Sequence, residues 1–131
     1  MKKVAFIFPG QGSQTIGMGK DFFENNDIAK EMISKASARL DVDFEKLLFE
    51  ENENLGKTEF TQPAILLVSS IANAIFKEKC NIIPEFVLGH SLGEFSALVA
   101  AGAIDYLDAI ELVHRRGLFM TEACSGGGAG M

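Results

Sequence analysis

Apolar residues follow two rhythms along this chain. Short unbroken runs occur twice, over Lys3–Phe8, closed by Pro9-Gly10, and over Phe86-Val87-Leu88, closed by Gly89. Runs this short, bounded by turn residues, predict strands of the kind buried on both faces of a parallel sheet. Between and after them the spacing is helical. Gly17–Glu24 and Asp27–Leu40 predict helices, the second with Ile28, Met32, Ile33 and Ala36 on one face. Asp43 is placed to cap a short helix over Phe44–Glu50, and the acidic stretch Glu51–Lys57 predicts a surface loop. Thr61-Gln62-Pro63 is expected to open a long helix to about Lys79, with Thr61 as N-cap and Pro63 in the first turn. That helix is apolar on most sides, which predicts burial. The second strand leads into a helix closed by Gly102, and a last helix is expected from about Leu107 to Ala123.

The fold class is therefore α/β, a parallel sheet flanked by helices. No internal repeat or interdomain linker interrupts residues 1–131. Two strands are fewer than the three or more that a stable sheet normally needs. A further strand is expected beyond the glycine-rich end Ser125–Met131, so the chain reads as the N-terminal portion of a longer protein.

Candidate chemistry concentrates where the second strand meets its helix, at Gly89-His90-Ser91-Leu92-Gly93. A Gly-x-Ser-x-Gly turn between strand and helix exposes a serine hydroxyl above the sheet, with glycines where a Cβ would strike the crowded backbone. The following helix aims its free N–H groups and positive dipole end at the place where an oxyanion forms. The plainer reading of Ser91 is a helix cap.

The loop after the first strand, Gly10-Gln11-Gly12-Ser13-Gln14-Thr15, fits neither nucleotide fingerprint. Thr15 holds the third glycine position of the dinucleotide motif, and Asp21 follows Gly19-Lys20 where a phosphate loop needs Ser or Thr. Following a buried strand, the loop belongs on the same rim of the sheet as the Ser91 turn. The Gln11 N–H could there be a second oxyanion donor beside the Leu92 N–H; the alternative is an ordinary turn. In the last helix, Ala109, Leu112, Val113, Phe119 and Met120 fall on one apolar stripe with Arg116 in its middle, whereas His114 falls on the polar side and reads as solvated. A buried guanidinium needs an anion, either a structural carboxylate or the carboxylate of a substrate held bidentately.

Composition narrows the setting. With 47 % hydrophobic residues the chain is ordinary globular material, and a net charge of −6 disfavours nucleic acid or an anionic membrane as partner. The Val4–Phe8 run is too short for a signal peptide, and the Ile65–Ile75 stretch is broken by Ser69, Ser70 and Asn73, against a membrane span. Cys80 and Cys124 lack metal or redox spacing, which fits a reduced, cytoplasmic setting.

Four motifs in order, Phe8-Pro9-Gly10-Gln11-Gly12-Ser13-Gln14, Thr61-Gln62-Pro63-Ala64, Gly89-His90-Ser91-Leu92-Gly93-Glu94 and Arg116-Gly117-x-Phe119-Met120, closely resemble the malonyl-CoA:acyl carrier protein transacylases of type II fatty acid synthesis. The resemblance covers the whole chain. It implies an α/β-hydrolase-like acyltransferase core, here without the small ferredoxin-like subdomain and the C-terminal part. It also implies transfer of malonyl from malonyl-CoA to the phosphopantetheine thiol of acyl carrier protein through a malonyl ester on Ser91. Gln11 and Leu92 would form the oxyanion hole, Arg116 would grip the malonyl carboxylate, and His90 would help shape the pocket. Gln62 lies near the active site in the family, although its expected place at the helix start suits a structural role equally. No metal or tightly bound cofactor is implied.

Members of the family are much longer and add a catalytic histidine from the later region. His90 adjoins Ser91 in the turn and His114 lies on another face, so neither is the expected base. The stretch alone is expected to be inactive, because a serine without its base keeps only ~10³–10⁴-fold catalysis over water. Two other readings fit the same residues: a serine thioesterase on a similar turn, and a non-catalytic module that binds carrier protein or CoA.

Overall fold

The computed structural model describes residues 2–125, so the glycine-rich segment 126–131, and the strand expected beyond it, lie outside the described residues. The elements run β1 (Ala5–Phe8), α1 (Lys20–Asn25), α2 (Asp27–Leu40), α3 (Phe44–Phe49), α4 (Thr58–Lys79), β2 (Phe86–Gly89), α5 (Gly93–Ala100) and α6 (Tyr106–Ala123). This is the expected α/β order. β1 and β2 pair in parallel, Ala5 opposite Phe86, Ile7 opposite Leu88 and Phe8 opposite Gly89. Parallel pairing needs a long crossover, and α1 to α4 supply it.

Side chains alternate across this pair. Phe6 turns toward the helices, its ring edge-on to Phe76 of α4 at 5.3 Å between centroids, and Phe8 is buried. Ile7 and Phe86 turn the other way and are 73 % and 59 % exposed. Burial on both faces, expected from the unbroken apolar runs, is therefore not what the structure shows. Among the described residues no element covers the second face, and the apolar pattern there has no partner.

The core lies along α4. Its residues Ala64–Leu67, Ile71 and Ile75 are buried against Ala29, Ile33 and Ala36 of α2, Phe44, Leu47 and Leu48 of α3, and Ala109, Ile110 and Val113 of α6. By length and composition α4 suffices to cross a membrane, contrary to the reading of its polar interruptions, but most of its apolar window is buried inside the protein.

Several element ends differ from expectation for identifiable reasons. α1 starts at Lys20 rather than Gly17, because Gly17 and Gly19 take positive φ and the Gly17 N–H is held by the Leu48 carbonyl at 2.7 Å. α4 starts at Thr58, so Thr61 is not the N-cap, Gln62 is not at the helix start, and Pro63 is past the first turn. The Thr61 hydroxyl instead reaches the Leu55 and Lys57 carbonyls, tying the entering loop to the helix and burying Leu55 within it. Asp43 caps α3 as expected, accepting the Lys46 N–H at 3.1 Å. Gly102 follows the end of α5 with φ 78°; its N–H meets the Val99 carbonyl and that of Ala103 meets Leu98, a Schellman closure.

Candidate active site

The chain turns sharply between β2 and α5. Helix α5 is entered through Leu92, with no side-chain cap, so Ser91 does not serve as the cap of the plainer reading. Ser91 instead adopts φ 53°, a left-handed conformation that a non-glycine residue holds only when its surroundings impose it. Those surroundings are the two flanking glycines. A Cβ on Gly89 would strike the Gly93 carbonyl group, and one on Gly93 would strike the Phe8 carbonyl oxygen. The close approach of strand end, helix start and β1 thus forces the turn, and Ser91 is left exposed at its tip.

The loop after β1 lies against this turn. The His90 N–H donates to the Phe8 carbonyl at 3.2 Å, and a Cβ on Gly10 would meet the His90 carbonyl oxygen. Gln11 therefore follows a residue in direct contact with the Ser91 turn. Among the described residues neither the Gln11 nor the Leu92 backbone N–H donates to another protein group. Leu92 adjoins Ser91 and Gln11 follows Gly10, which meets the His90 carbonyl oxygen, and free donors of this kind are what an oxyanion would use.

Arg116 approaches from α6. Its Nη2 donates to Ser91 Oγ at 3.2 Å, its Nη1 donates to Gln62 Oε1 at 2.6 Å, and its Cζ lies 5.4 Å from the centroid of the Phe95 ring. Among the described residues no carboxylate reaches it. The expected stripe on α6 needs correction: the buried face is Ala109, Ile110, Val113 and Gly117, while Leu112 and Phe119 are 45 % and 66 % exposed. Gly117 sets this rotation, since a Cβ there would come within 2.5 Å of Glu59 Cα on α4. Arg116 consequently lies at the edge of the buried face, half-buried, with its guanidinium turned to the serine.

Gln62 is fully buried, and its Nε2 donates to Thr58 Oγ1 at 3.0 Å and contacts Met120 Sδ at 3.2 Å. The Thr58 hydroxyl donates in turn to Gln11 Oε1 at 2.7 Å. Thr58 escaped the sequence reading because the helix was expected to begin three residues later. His114 is not simply solvated: it is half-buried, with Nδ1 2.7 Å from the Glu59 carbonyl oxygen. The signal was Pro63, whose missing N–H leaves that carbonyl without its helical donor. His90 is exposed and, like His114, makes no hydrogen bond to Ser91. Among the described residues no three His, Cys, Asp or Glu side chains cluster to hold a metal ion.

Residues 5–131 match the acyl transferase domain family. The malonyl CoA-acyl carrier protein transacylase of Staphylococcus aureus is 48 % identical over 124 residues, covering 94 % of this chain and 39 % of the relative. The crystal structure of malonyl-CoA:acyl carrier protein transacylase from Helicobacter pylori superposes with a TM-score of 0.92 at 52 % identity, covering 95 % of this chain and 41 % of the other. A malonyl-transacylase solved in complex with a type II polyketide acyl carrier protein gives a TM-score of 0.89 at 42 % identity, with coverage of 93 % and 40 %. The chain spans about two fifths of the length of the relatives it matches.

Proposed function

The chain belongs to the acyl transferase domain family, and we propose that it carries the nucleophile and the carboxylate-binding residue of a malonyl transfer from malonyl-CoA to acyl carrier protein, in fatty acid biosynthesis. We assign residues 1–131 to the N-terminal portion of the acyltransferase core. The observation that carries the reading is the guanidinium of Arg116 at 3.2 Å from Ser91 Oγ with no carboxylate of the described residues to neutralise it. A cation poised beside a nucleophile, and free of a protein anion, suits a substrate whose own carboxylate lies a few bonds from the attacked carbonyl.

Ser91 Oγ attacks the thioester carbonyl, and the oxyanion of the tetrahedral intermediate is received by the Gln11 and Leu92 N–H groups. Collapse expels the CoA thiolate and leaves malonyl esterified to Ser91, with its carboxylate on Arg116. The phosphopantetheine thiol of acyl carrier protein then attacks the ester, and Ser91 recovers its proton as the malonyl thioester departs. We assign His90, exposed beside Ser91 in the turn, to shaping the pocket. Gln62 holds Arg116 in place, and we assign it that supporting role. The base that takes and returns the serine proton is assigned to a histidine beyond these residues, because His114 commits Nδ1 to the Glu59 carbonyl and neither histidine bonds Ser91. The carrier-protein complex among the similar structures supports the choice of partner. We place the reaction in the cytoplasm, which the free thiols of Cys80 and Cys124 favour.

The test follows malonyl from malonyl-CoA in the presence of holo acyl carrier protein. Malonyl found on the carrier supports the proposal. Free malonate would mean a thioesterase, and neither product nor acyl-serine would mean a binding module.

A further inference from the structure

We infer that Thr58 is a positioning residue that couples the Gln11 loop to Arg116 through the buried amide of Gln62. An unbroken chain of hydrogen bonds runs from Arg116 Nη1 to Gln62 Oε1 at 2.6 Å, from Gln62 Nε2 to Thr58 Oγ1 at 3.0 Å, and from Thr58 Oγ1 to Gln11 Oε1 at 2.7 Å. Its polarity is set by chemistry rather than by choice. A guanidinium only donates, so Gln62 must present its carbonyl oxygen to Arg116. The amide nitrogen of Gln62 must then face Thr58, whose oxygen accepts. The single hydroxyl hydrogen of Thr58 is left to donate, and the Gln11 side-chain oxygen takes it. Each group has one way to satisfy its neighbour.

Consequences at both ends follow from the position of Gln62, which is wholly buried. Without the Thr58 acceptor, its amide nitrogen keeps only the weak Met120 sulfur contact. Turning the amide over would bring its N–H groups against the guanidinium. Either way Arg116 loses its fixed aim at Ser91, and Gln11 loses the anchor that holds its backbone N–H beside the Ser91 turn. Thr58 touches no substrate in this arrangement and acts through its neighbours. The inference rests on the malonyl-transfer reading, which supplies the readout.

The test uses the protein as it is naturally made and compares Ser91 loading from malonyl-CoA and acetyl-CoA. Thr58→Val keeps the shape and removes both bonds; it should lower the preference for malonyl by roughly tenfold, as loss of one well-placed hydrogen bond does. Thr58→Ser should restore the preference, and the stability control Thr61→Val should lower the melting temperature with preference unchanged. If Thr58→Val does not fold, Gln11→Leu breaks the same chain from the loop side and should lower the malonyl loading rate. A wild-type preference in Thr58→Val, or Thr58→Ser impaired equally, overturns the coupling while leaving malonyl transfer intact. Absence of malonyl loading in the unsubstituted protein overturns the reading and the coupling with it.

Discussion

His114 makes good the helical hydrogen bond that Pro63 takes from α4. Pro63 cannot supply the N–H that the Glu59 carbonyl would receive four residues along α4, and His114 of α6 brings its Nδ1 to 2.7 Å from that oxygen. The bond fixes the tautomer of His114, with the proton on Nδ1. It also locks α6 onto α4 beside the places where Arg116 and Gln62 meet. His114→Leu should therefore destabilise the protein by about 1 kcal/mol, the cost of leaving a part-buried carbonyl unpaired. Adding Pro63→Ala should recover much of the loss, since an alanine at that position restores the missing N–H. Denaturant midpoints of the two single variants and the double variant measure this coupling directly.

The Ser91 turn predicts a trade between stability and chemistry. Ser91 sits at φ 53°, where a side chain is strained and glycine is not. Ser91→Gly should raise stability by about 1 kcal/mol while abolishing acylation. Gly93→Ala should do the reverse of stabilising, because its Cβ would strike the Phe8 carbonyl oxygen and push α5 away from β1. Thermal melts with an acylation assay distinguish the two; equal melting temperatures would mean the turn is unstrained.

For Arg116, selectivity is the quantity to follow. Arg116→Ala should shift loading from malonyl- toward uncharged acyl-CoA by about ten- to a hundredfold, the range for a charge-assisted hydrogen bond. Arg116→Lys should recover only part of it, since an ammonium cannot grip a carboxylate with two parallel bonds. Competition between malonyl-CoA and acetyl-CoA reads both, and unchanged selectivity in the alanine variant would remove Arg116 from the site.

The open face of the sheet predicts solution behaviour. Ile7, Phe86 and Leu88 present an apolar strip that the described residues leave uncovered. Residues 1–131 alone should bind an apolar dye and self-associate, and Ile7→Lys should diminish both. Dye fluorescence and sedimentation check this, with a monomeric, dye-silent chain as the contrary outcome.

Much of this was legible beforehand because local signals agreed. The Asp43 cap, the Gly102 closure and the Gly89–Gly93 turn rest on neighbours in sequence and are where the pattern put them; so are the strands, except that β1 begins at Ala5 rather than Lys3. What the pattern missed depended on contacts between distant segments. Thr61-Gln62-Pro63 looks like a helix start, yet Thr58 opens the helix and the His114 side chain compensates for the displaced proline. On α6, periodicity alone gave Leu112 and Phe119 to the core. Gly117, pressed against Glu59, turns the helix so that Arg116 meets Ser91 instead. Thr58 carried no motif, and only its bonds to Gln11 and Gln62 single it out.

The most direct test of the central claim is the intact mass of the naturally made protein before and after malonyl-CoA, alongside Ser91→Ala. One malonyl group gained by the unsubstituted protein, absent from Ser91→Ala and lost on adding holo acyl carrier protein, is the predicted result. A mass that does not change, or an adduct that persists in Ser91→Ala, would contradict Ser91 as the acyl carrier.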